Sequence, residues 1–140
     1  ELAARLADHP GTGLVRHPSL PGADPAGLLG TQMRGPGAML AFTTRENPAA
    51  VVRRLRLVTP AVSLGSVDTL IEHPSALTHR LVPDAEREAS GVPANLLRLS
   101  VGLEDVEDIW DDLDQALQGH CEEGYIKSSS SDFRELADSH

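Results

Sequence analysis

The amino-acid sequence predicts an α+β fold, a small and mainly antiparallel sheet covered on one face by helices. The clearest signal lies in residues 95–117, where Leu97 and Leu99 alternate with polar residues at the period of a half-buried strand. After Gly102 the apolar residues recur at the three-and-four spacing of an amphipathic helix. Elsewhere, strand and helix patterns interleave with connections too short for parallel crossovers, so we expect about three to five short strands.

The elements before residue 95 follow from local patterns. Helices are expected over 1–8, 49–58 and 83–89, and Gly91 is expected to be the C-cap of the last of these. A further short helix is expected to begin at Pro25 with Asp24 as its N-cap. Strands are expected over 14–17, 38–43 and 67–71, with glycine and proline marking the turns between them. The last helix is expected to run from Leu103 to Leu117.

Composition excludes several classes of function. The 140 residues are 40% hydrophobic, which is enough for one domain with a core. A net charge of −9, with seven acids in residues 104–114, argues against a nucleic-acid partner. No apolar run is long enough to predict a membrane span. The single cysteine, Cys121, excludes a disulfide framework and fits a reducing compartment, so we expect a cytoplasmic protein.

Most chemically reactive side chains receive a structural interpretation. The six histidines have no metal-ligand spacing and are interpreted as solvated loop residues, so no metal site is expected. The acidic run 104–114 is interpreted as a solvated helix face. Acidic neighbours disfavour a reactive thiolate at Cys121, and nothing around Lys127 offers the desolvated pocket of a Schiff-base lysine. No catalytic residue is therefore assigned within the chain.

Arg98 is the residue on which the functional interpretation depends. It lies in the middle of the predicted strand, among apolar neighbours. A guanidinium is costly to bury without a partner, and its planar fork suits a carboxylate or a phosphate. The pattern leaves two alternatives open, a structural ion pair with a buried acid or a site for an anionic ligand.

Three segments, in order, resemble the C-terminal part of the Cys/Met-metabolism enzymes that use pyridoxal phosphate. They read HPSLPGADPAGLLGTQMRGPGAMLAF, LVTPAVSLGSVDTLIEHPSALTH and VPDAEREASGVPANLLRLSVGLEDVEDIWDDLDQAL. The resemblance covers roughly residues 1–117 and keeps the order and spacing of several motifs. The family includes cystathionine synthases and lyases, methionine γ-lyase and homoserine sulfhydrylases.

The resemblance implies which residues would touch a substrate. The family's carboxylate-binding arginine maps onto Arg98, and the serine that helps to hold the same carboxylate maps onto Ser63. The preceding position, Val62, helps to set substrate preference, and valine there resembles methionine γ-lyase more than the cystathionine enzymes. Leu64 and Thr78 are expected to line the same wall. The cofactor lysine and the phosphate cup belong, in the family, to a larger preceding domain.

The resemblance also implies an organisation and a function. Residues 1–12 would be the end of an interdomain helix, 13–118 a substrate-binding C-terminal domain, and 119–140 a tail or linker. The expected function is that of the C-terminal domain of a pyridoxal-phosphate C–S lyase acting on a sulfur amino acid, as methionine γ-lyase or a cysteine lyase does. The piece alone is expected to be inactive, and its parent to be a homo-oligomer.

Two other functions remain open. One is a domain of a cystathionine γ-synthase or an O-acylhomoserine sulfhydrylase, which makes the C–S bond. The other is a non-catalytic interaction module derived from the same family.

Overall fold

The computed structural model describes residues 1–79 and 81–119, and it confirms the α+β fold with helices on one face of the sheet. The helices are α1 Leu2–Asp8, α2 Pro48–Arg54, α3 Asp84–Ala89 and α4 Val106–Gln118. The strands are β1 Thr12–Arg16, β2 Met39–Thr44, β3 Thr59–Pro60, β4 Leu70–Glu72 and β5 Leu96–Ser100. Their spatial order is β1-β2-β5-β4-β3, and every neighbouring pair is antiparallel except β3 with β4.

The central strand β5 separates the two faces of the sheet. Leu99 pairs with Leu40 of β2 and Ile71 of β4, and these side chains belong to the buried core. Successive residues of a strand point to opposite faces of a sheet. Arg98 and its cross-strand partners, Ala41 on β2 and Glu72 on β4, therefore lie on the opposite face. The sheet is therefore apolar towards the helices and polar in its centre on the other side.

Helices α1, α2 and α4 cover the apolar face. Leu6 of α1, Val51 of α2 and Leu113 of α4 are fully buried, and they join the strand residues in one cluster. Phe42 is the one aromatic residue that is fully buried among the described residues, so aliphatic side chains make most of the core. No helix in the described ranges is long and apolar enough to cross a membrane.

Helix α2 is shorter than the sequence predicts, because it ends at Arg54 rather than at residue 58. The buried carboxylate of Asp112 on α4 accepts hydrogen bonds from the backbone N–H groups of Arg56, Leu57 and Val58, each at 2.8 Å. These three donors would otherwise bond within a longer helix. The same contact corrects the interpretation of residues 104–114 as a solvated face, since Asp112 is only 6% exposed.

The predicted helix at Pro25 is wrong. The carboxylate of Asp24 accepts hydrogen bonds from the N–H groups of Leu28 and Leu29, four and five residues later, which closes a loop. An N-cap would instead bond two or three residues ahead. Gly27 adopts φ +63°, which breaks any right-handed helical path.

Several element bounds also differ from the predicted ones. Helix α4 begins at Val106 with Asp105 as its N-cap, not at Leu103. Strand β4 covers 70–72 rather than 67–71, and β1 begins at Thr12. The predicted tail lies outside the described residues except for Gly119, and Cys121 and Lys127 fall outside them as well.

Candidate functional site

Arg98 lies at the centre of the polar face of the sheet. It occupies the middle of β5 between Ala41 of β2 and Glu72 of β4, which are its direct cross-strand partners. Ala41 carries only a methyl group and leaves room on its side. The Arg98 side chain is 29% exposed, so its guanidinium is partly desolvated yet open to solvent on one side.

Glu72 supplies a buried carboxylate beside this guanidinium. Nη2 of Arg98 lies 2.5 Å from Oε2 of Glu72, whose side chain is 1% exposed. The two atoms are close enough for an ion pair, but the approach is not aligned for a hydrogen bond, and neither Glu72 oxygen has a hydrogen-bond partner among the described residues. The structural ion pair that the sequence left open is therefore present, together with an open side.

The sequence did not single out Glu72, because the predicted strand 67–71 ended one residue before it. The sequence does contain a signal for it. If Ile71 pairs with Leu99 in an antiparallel arrangement, Glu72 lies opposite Arg98, and opposite charges favour such a pair. Cross-strand charge pairing would thus have found the residue once the register was known.

The loop 61–69 runs along β5 on the same polar face and brings Ser63 to Arg98. Nη2 of Arg98 donates a hydrogen bond to the Ser63 carbonyl at 3.1 Å. Two residues further, the Gly65 N–H donates to Oγ of Ser100 at 2.9 Å. Gly65 adopts φ +75°, a conformation that glycine tolerates best. Arg98 and Ser63, 35 positions apart in sequence, are neighbours in the structure.

The other predicted wall residues differ in their relation to Arg98. Val62 and Leu64 flank Ser63 and are 54% and 57% exposed, so they form an apolar rim on the loop. Thr78 is exposed, and its hydroxyl is hydrogen-bonded with Nδ1 of His79 at 3.0 Å. Within the described residues no hydrogen bond joins Thr78 to Arg98 or to the Ser63 loop. The structure therefore joins Ser63 to the arginine and leaves Val62 and Leu64 exposed beside it on the loop, but it does not attach Thr78 to them.

The guanidinium keeps donors for a ligand. Arginine has five N–H donors, and the shortest contact to Glu72 and the hydrogen bond to the Ser63 carbonyl both use Nη2. Nη1 and Nε carry no hydrogen bond to the described part of the chain. A planar group with free, charged donors in a partly desolvated setting binds a carboxylate well. The nearby apolar rim would favour an anion that also carries a hydrophobic side chain.

Two histidines correct the interpretation that all six are solvated. His9 is 8% exposed, accepts the Gly11 N–H at Nδ1 (2.9 Å) and donates from Nε2 to Asp114 at 3.0 Å. His73 is half-buried, its Nε2 lies 2.6 Å from the Ala94 carbonyl, and burial lowers its pKa. Both serve packing. Across residues 1–79 and 81–119, no three His, Cys, Asp or Glu side chains form a metal-binding group.

Comparison with known proteins places these features in a family. Residues 1–118 match the family described as Cys/Met metabolism PLP-dependent enzyme. An L-methionine gamma-lyase from Streptomyces avermitilis is 50% identical over 117 residues, covering 84% of this chain and 25% of that protein. A cystathionine gamma-synthase from Mycobacterium tuberculosis is 42% identical over 119 residues, covering 83% of this chain and 30% of that protein.

Solved structures agree in fold. The crystal structure of a cystathione gamma lyase, CalE6, from Micromonospora echinospora superposes with a TM-score of 0.80 at 39% identity, covering 85% of this chain and 32% of that one. The chain therefore spans about a quarter to a third of the length of the relatives that it matches.

Proposed function

Since the chain belongs to the Cys/Met metabolism PLP-dependent enzyme family, we propose that it is the C-terminal, substrate-binding domain of a C–S lyase that acts on a sulfur amino acid. In this role Arg98 binds the α-carboxylate of the substrate. Ser63 sits beside it, and Val62 and Leu64 contact the sulfur-bearing side chain. The named relatives act on methionine or take part in cystathionine metabolism, which supports a substrate of this class.

The observation that carries the proposal is the pairing of a partly open guanidinium with the Ser63 loop. The hydrogen bond from Arg98 to the Ser63 carbonyl ties the loop to the centre of the sheet. A carboxylate bound at Nη1 and Nε would therefore meet the loop and its apolar rim at once. A bidentate contact of this kind fixes the orientation of an amino acid, which is what selective bond cleavage requires.

Pyridoxal phosphate does not fit the described residues on their own. Covalent attachment of the cofactor needs a lysine amine, and residues 1–119 contain no lysine. The candidate site has one cation, Arg98, whose remaining donors are assigned above to the substrate carboxylate. We therefore assign the cofactor to a larger preceding domain of a parent enzyme and derive no chemical step from this chain. Its contribution is to bind and orient the substrate.

A chimera tests the carboxylate role. Residues 1–117 would replace the matching segment of the Streptomyces methionine gamma-lyase, and Arg98→Lys would be compared with the unsubstituted chimera. Lysine keeps the positive charge next to Glu72 but cannot make a planar two-point contact. We expect kcat/KM for L-methionine to fall about tenfold or more, the equivalent of about 1.4 kcal/mol.

Arg56→Lys is the matched control, because Arg56 is exposed and lies by α4, away from the Ser63 loop. We expect it to leave kcat/KM unchanged. If Arg98→Lys kept full activity, the carboxylate role would be refuted. An unsubstituted chimera that binds cofactor without turning over substrate would favour the non-catalytic module.

The second candidate function is C–S bond formation, and the similarity to a cystathionine gamma-synthase favours it. Supplying the chimera with an O-acylhomoserine and sulfide, and analysing the products, separates the two. The exposed apolar side chain of Val62 leads us to expect elimination products rather than a new thioether or thiol. A dominant sulfhydrylation product would assign the chain to the synthase class.

A further inference from the structure

We infer that Glu72 is a positioning residue, which holds the Arg98 guanidinium in the orientation that receives the substrate carboxylate. The inference rests on the proposed function and adds a residue to it. Glu72 would not touch the substrate. It would act through Arg98, from the neighbouring strand.

The sheet register places Glu72 beside Arg98. The two residues are direct antiparallel partners on β4 and β5, and β5 is itself fixed on its other edge by β2. Backbone pairing therefore sets the separation of the two side chains. A contact anchored in this way is more rigid than one made from a loop.

Burial makes the pair mutually dependent. Glu72 is 1% exposed and has no hydrogen-bond partner among the described residues, so Arg98 alone within ion-pair distance compensates its charge. An uncompensated buried carboxylate is strongly destabilising. The guanidinium is thus held towards Glu72 by a large energetic preference, in place of the many rotamers that an exposed arginine samples.

Two contacts of Nη2 hold the Arg98 guanidinium in place and leave its other nitrogens available to a ligand. Nη2 meets Glu72 from the sheet and the Ser63 carbonyl from the loop. Rotation of the guanidinium plane would break at least one of these contacts. Nη1 and Nε make no hydrogen bond within the described ranges, so the substrate meets donors that are already oriented. Preorganisation of this kind lowers the entropy lost on binding and on reaching the reactive geometry.

Removing the Glu72 charge has two opposing effects that kinetics can separate. Without a nearby carboxylate, Arg98 attracts an anionic substrate more strongly, which lowers KM. Without its anchor, Arg98 loses its orientation, which lowers kcat. A fall in kcat per folded, cofactor-loaded site without a rise in KM is therefore the signature of positioning, whereas simple loss of stability lowers only the number of such sites and leaves both constants unchanged.

The kinetic test uses the chimera described above. We expect Glu72→Gln to lower kcat, per folded cofactor-loaded site, about threefold to tenfold, the effect of leaving one rotamer-rich side chain unordered. Glu46→Gln is the control, since it also breaks a glutamate–arginine ion pair, with Arg54. Glu46 follows β2 and Ser63 follows β3, and strands β5 and β4 lie between these two strands in the sheet. Glu46→Gln is expected to leave kcat unchanged.

A spectroscopic test reads the arginine directly. In the 140-residue chain, the Arg98 Nε–Hε signal in a ¹⁵N NMR spectrum is expected to show an ordered side chain, and Glu72→Gln is expected to make it mobile. Glu72→Asp retains the buried charge, and so guards against unfolding, but withdraws the carboxylate by one methylene. It should loosen Arg98 to an intermediate degree.

The outcomes distinguish this inference from the proposed function. Wild-type kcat together with a wild-type Arg98 signal in Glu72→Gln or in a folded Glu72→Asp overturns the positioning role. If Arg98→Lys still loses activity in that case, the carboxylate site stands without Glu72. If Arg98→Lys is fully active, the proposed function fails and the inference fails with it.

Discussion

At the scale of single residues, Gly102 shows how the backbone fixes the end of β5. A Cβ atom added there would lie 2.4 Å from the Val67 carbonyl oxygen and 2.5 Å from the Asp68 carbonyl carbon. Its N–H donates to Oγ1 of Thr69 at 2.9 Å, so the glycine cannot simply move away. The loop that presents Ser63 therefore approaches β5 closely only because position 102 has no side chain.

Gly102→Ala tests this close approach. We expect the free energy of unfolding to fall by about 1–3 kcal/mol, because a methyl group is forced against backbone atoms. Gly35→Ala is the matched control, since a Cβ atom added at Gly35 would meet nothing within 4 Å and its φ is not in the left-handed region. Urea unfolding followed by circular dichroism measures both. Equal stability of the two variants would show that the loop can retreat from β5.

Glu104 makes the same region sensitive to acid. Burial acts to raise the pKa of Glu104, but hydrogen bonds from the N–H and hydroxyl of Thr69, both at 2.7 Å, outweigh it and hold the pKa below its ordinary range. A carboxyl whose pKa is lowered by folding stabilises the fold at pH values above the unfolded pKa of about 4.3. That contribution is lost as the pH falls through the lower, folded pKa.

Glu104→Gln should therefore make the free energy of unfolding depend less on pH in the acidic range. We expect the variant to be less stable than the wild type at neutral pH, and the difference to shrink as the pH falls below about 4. Unfolding midpoints in urea, taken in steps from neutral to acidic pH, measure the difference. A difference in stability that stays constant across this pH range would mean that the ionised form of Glu104 does not stabilise the fold.

At the scale of elements, Asp112 joins α4 to the segment that follows α2. Its carboxylate receives three consecutive backbone N–H groups, from residues 56 to 58, and the side-chain amide of Gln115. Charge-assisted hydrogen bonds of this kind are stronger than neutral ones. A single acid on α4 thus determines where α2 stops.

Asp112→Asn replaces one acceptor oxygen by an NH₂ donor that would face backbone N–H groups. We expect the free energy of unfolding to fall by about 1.5–3 kcal/mol, the range for hydrogen bonds to charged groups. Asp111→Asn, on the exposed face of the same helix, is expected to change it little. Chemical denaturation measures both substitutions. A loss no larger than that of Asp111→Asn would argue that the 56–58 turn holds without the carboxylate.

Periodicity predicted the elements well where the reason for them is local. The apolar spacing of α4 and the alternation of β5 follow from which face is buried, and both elements are present. The prediction failed where distant residues decide. Asp112 ends α2 from 54 or more positions away, and the Asp24 carboxylate closes a loop where capping chemistry suggested a helix. Side-chain acceptors that reach across the chain leave no periodic trace.

At the scale of the whole molecule, the candidate site also combines residues that local sequence patterns predict with residues that only the tertiary fold brings together. Alternation marked Arg98 as unusual, and the family resemblance marked Ser63, but only the register of β4 against β5 brings Glu72 to the arginine. The assignment of Thr78 to the same wall still depends on the resemblance, because the structure joins its hydroxyl to His79 instead. Residues that share one sheet face are predictable once pairing is known, and pairing is a property of the complete fold.

The core joins helices α1, α2 and α4 and the central strands into one unit, which has a consequence for unfolding. Leu6 of α1, the central strands and α4 belong to a single buried cluster. The only tryptophan, Trp110, lies at the junction of α1 and α4, with Arg5 5.5 Å from its ring centroid and His9 packed edge-on at 6.0 Å. Its fluorescence therefore reports the docking of α1, while circular dichroism reports the whole fold.

Leu6→Ala should consequently lower the urea midpoint of unfolding by the same amount whether it is followed by Trp110 fluorescence or by circular dichroism. Leu6 is fully buried, so the substitution is expected to cost about 2–5 kcal/mol, and a cooperative core transmits that loss to every element. Leu81→Ala is the matched control, because Leu81 is 90% exposed and should shift neither signal. If Trp110 fluorescence changed at a lower urea concentration than circular dichroism in Leu6→Ala, α1 would be a separately unfolding element, since its contacts with α4 would then break before the sheet does.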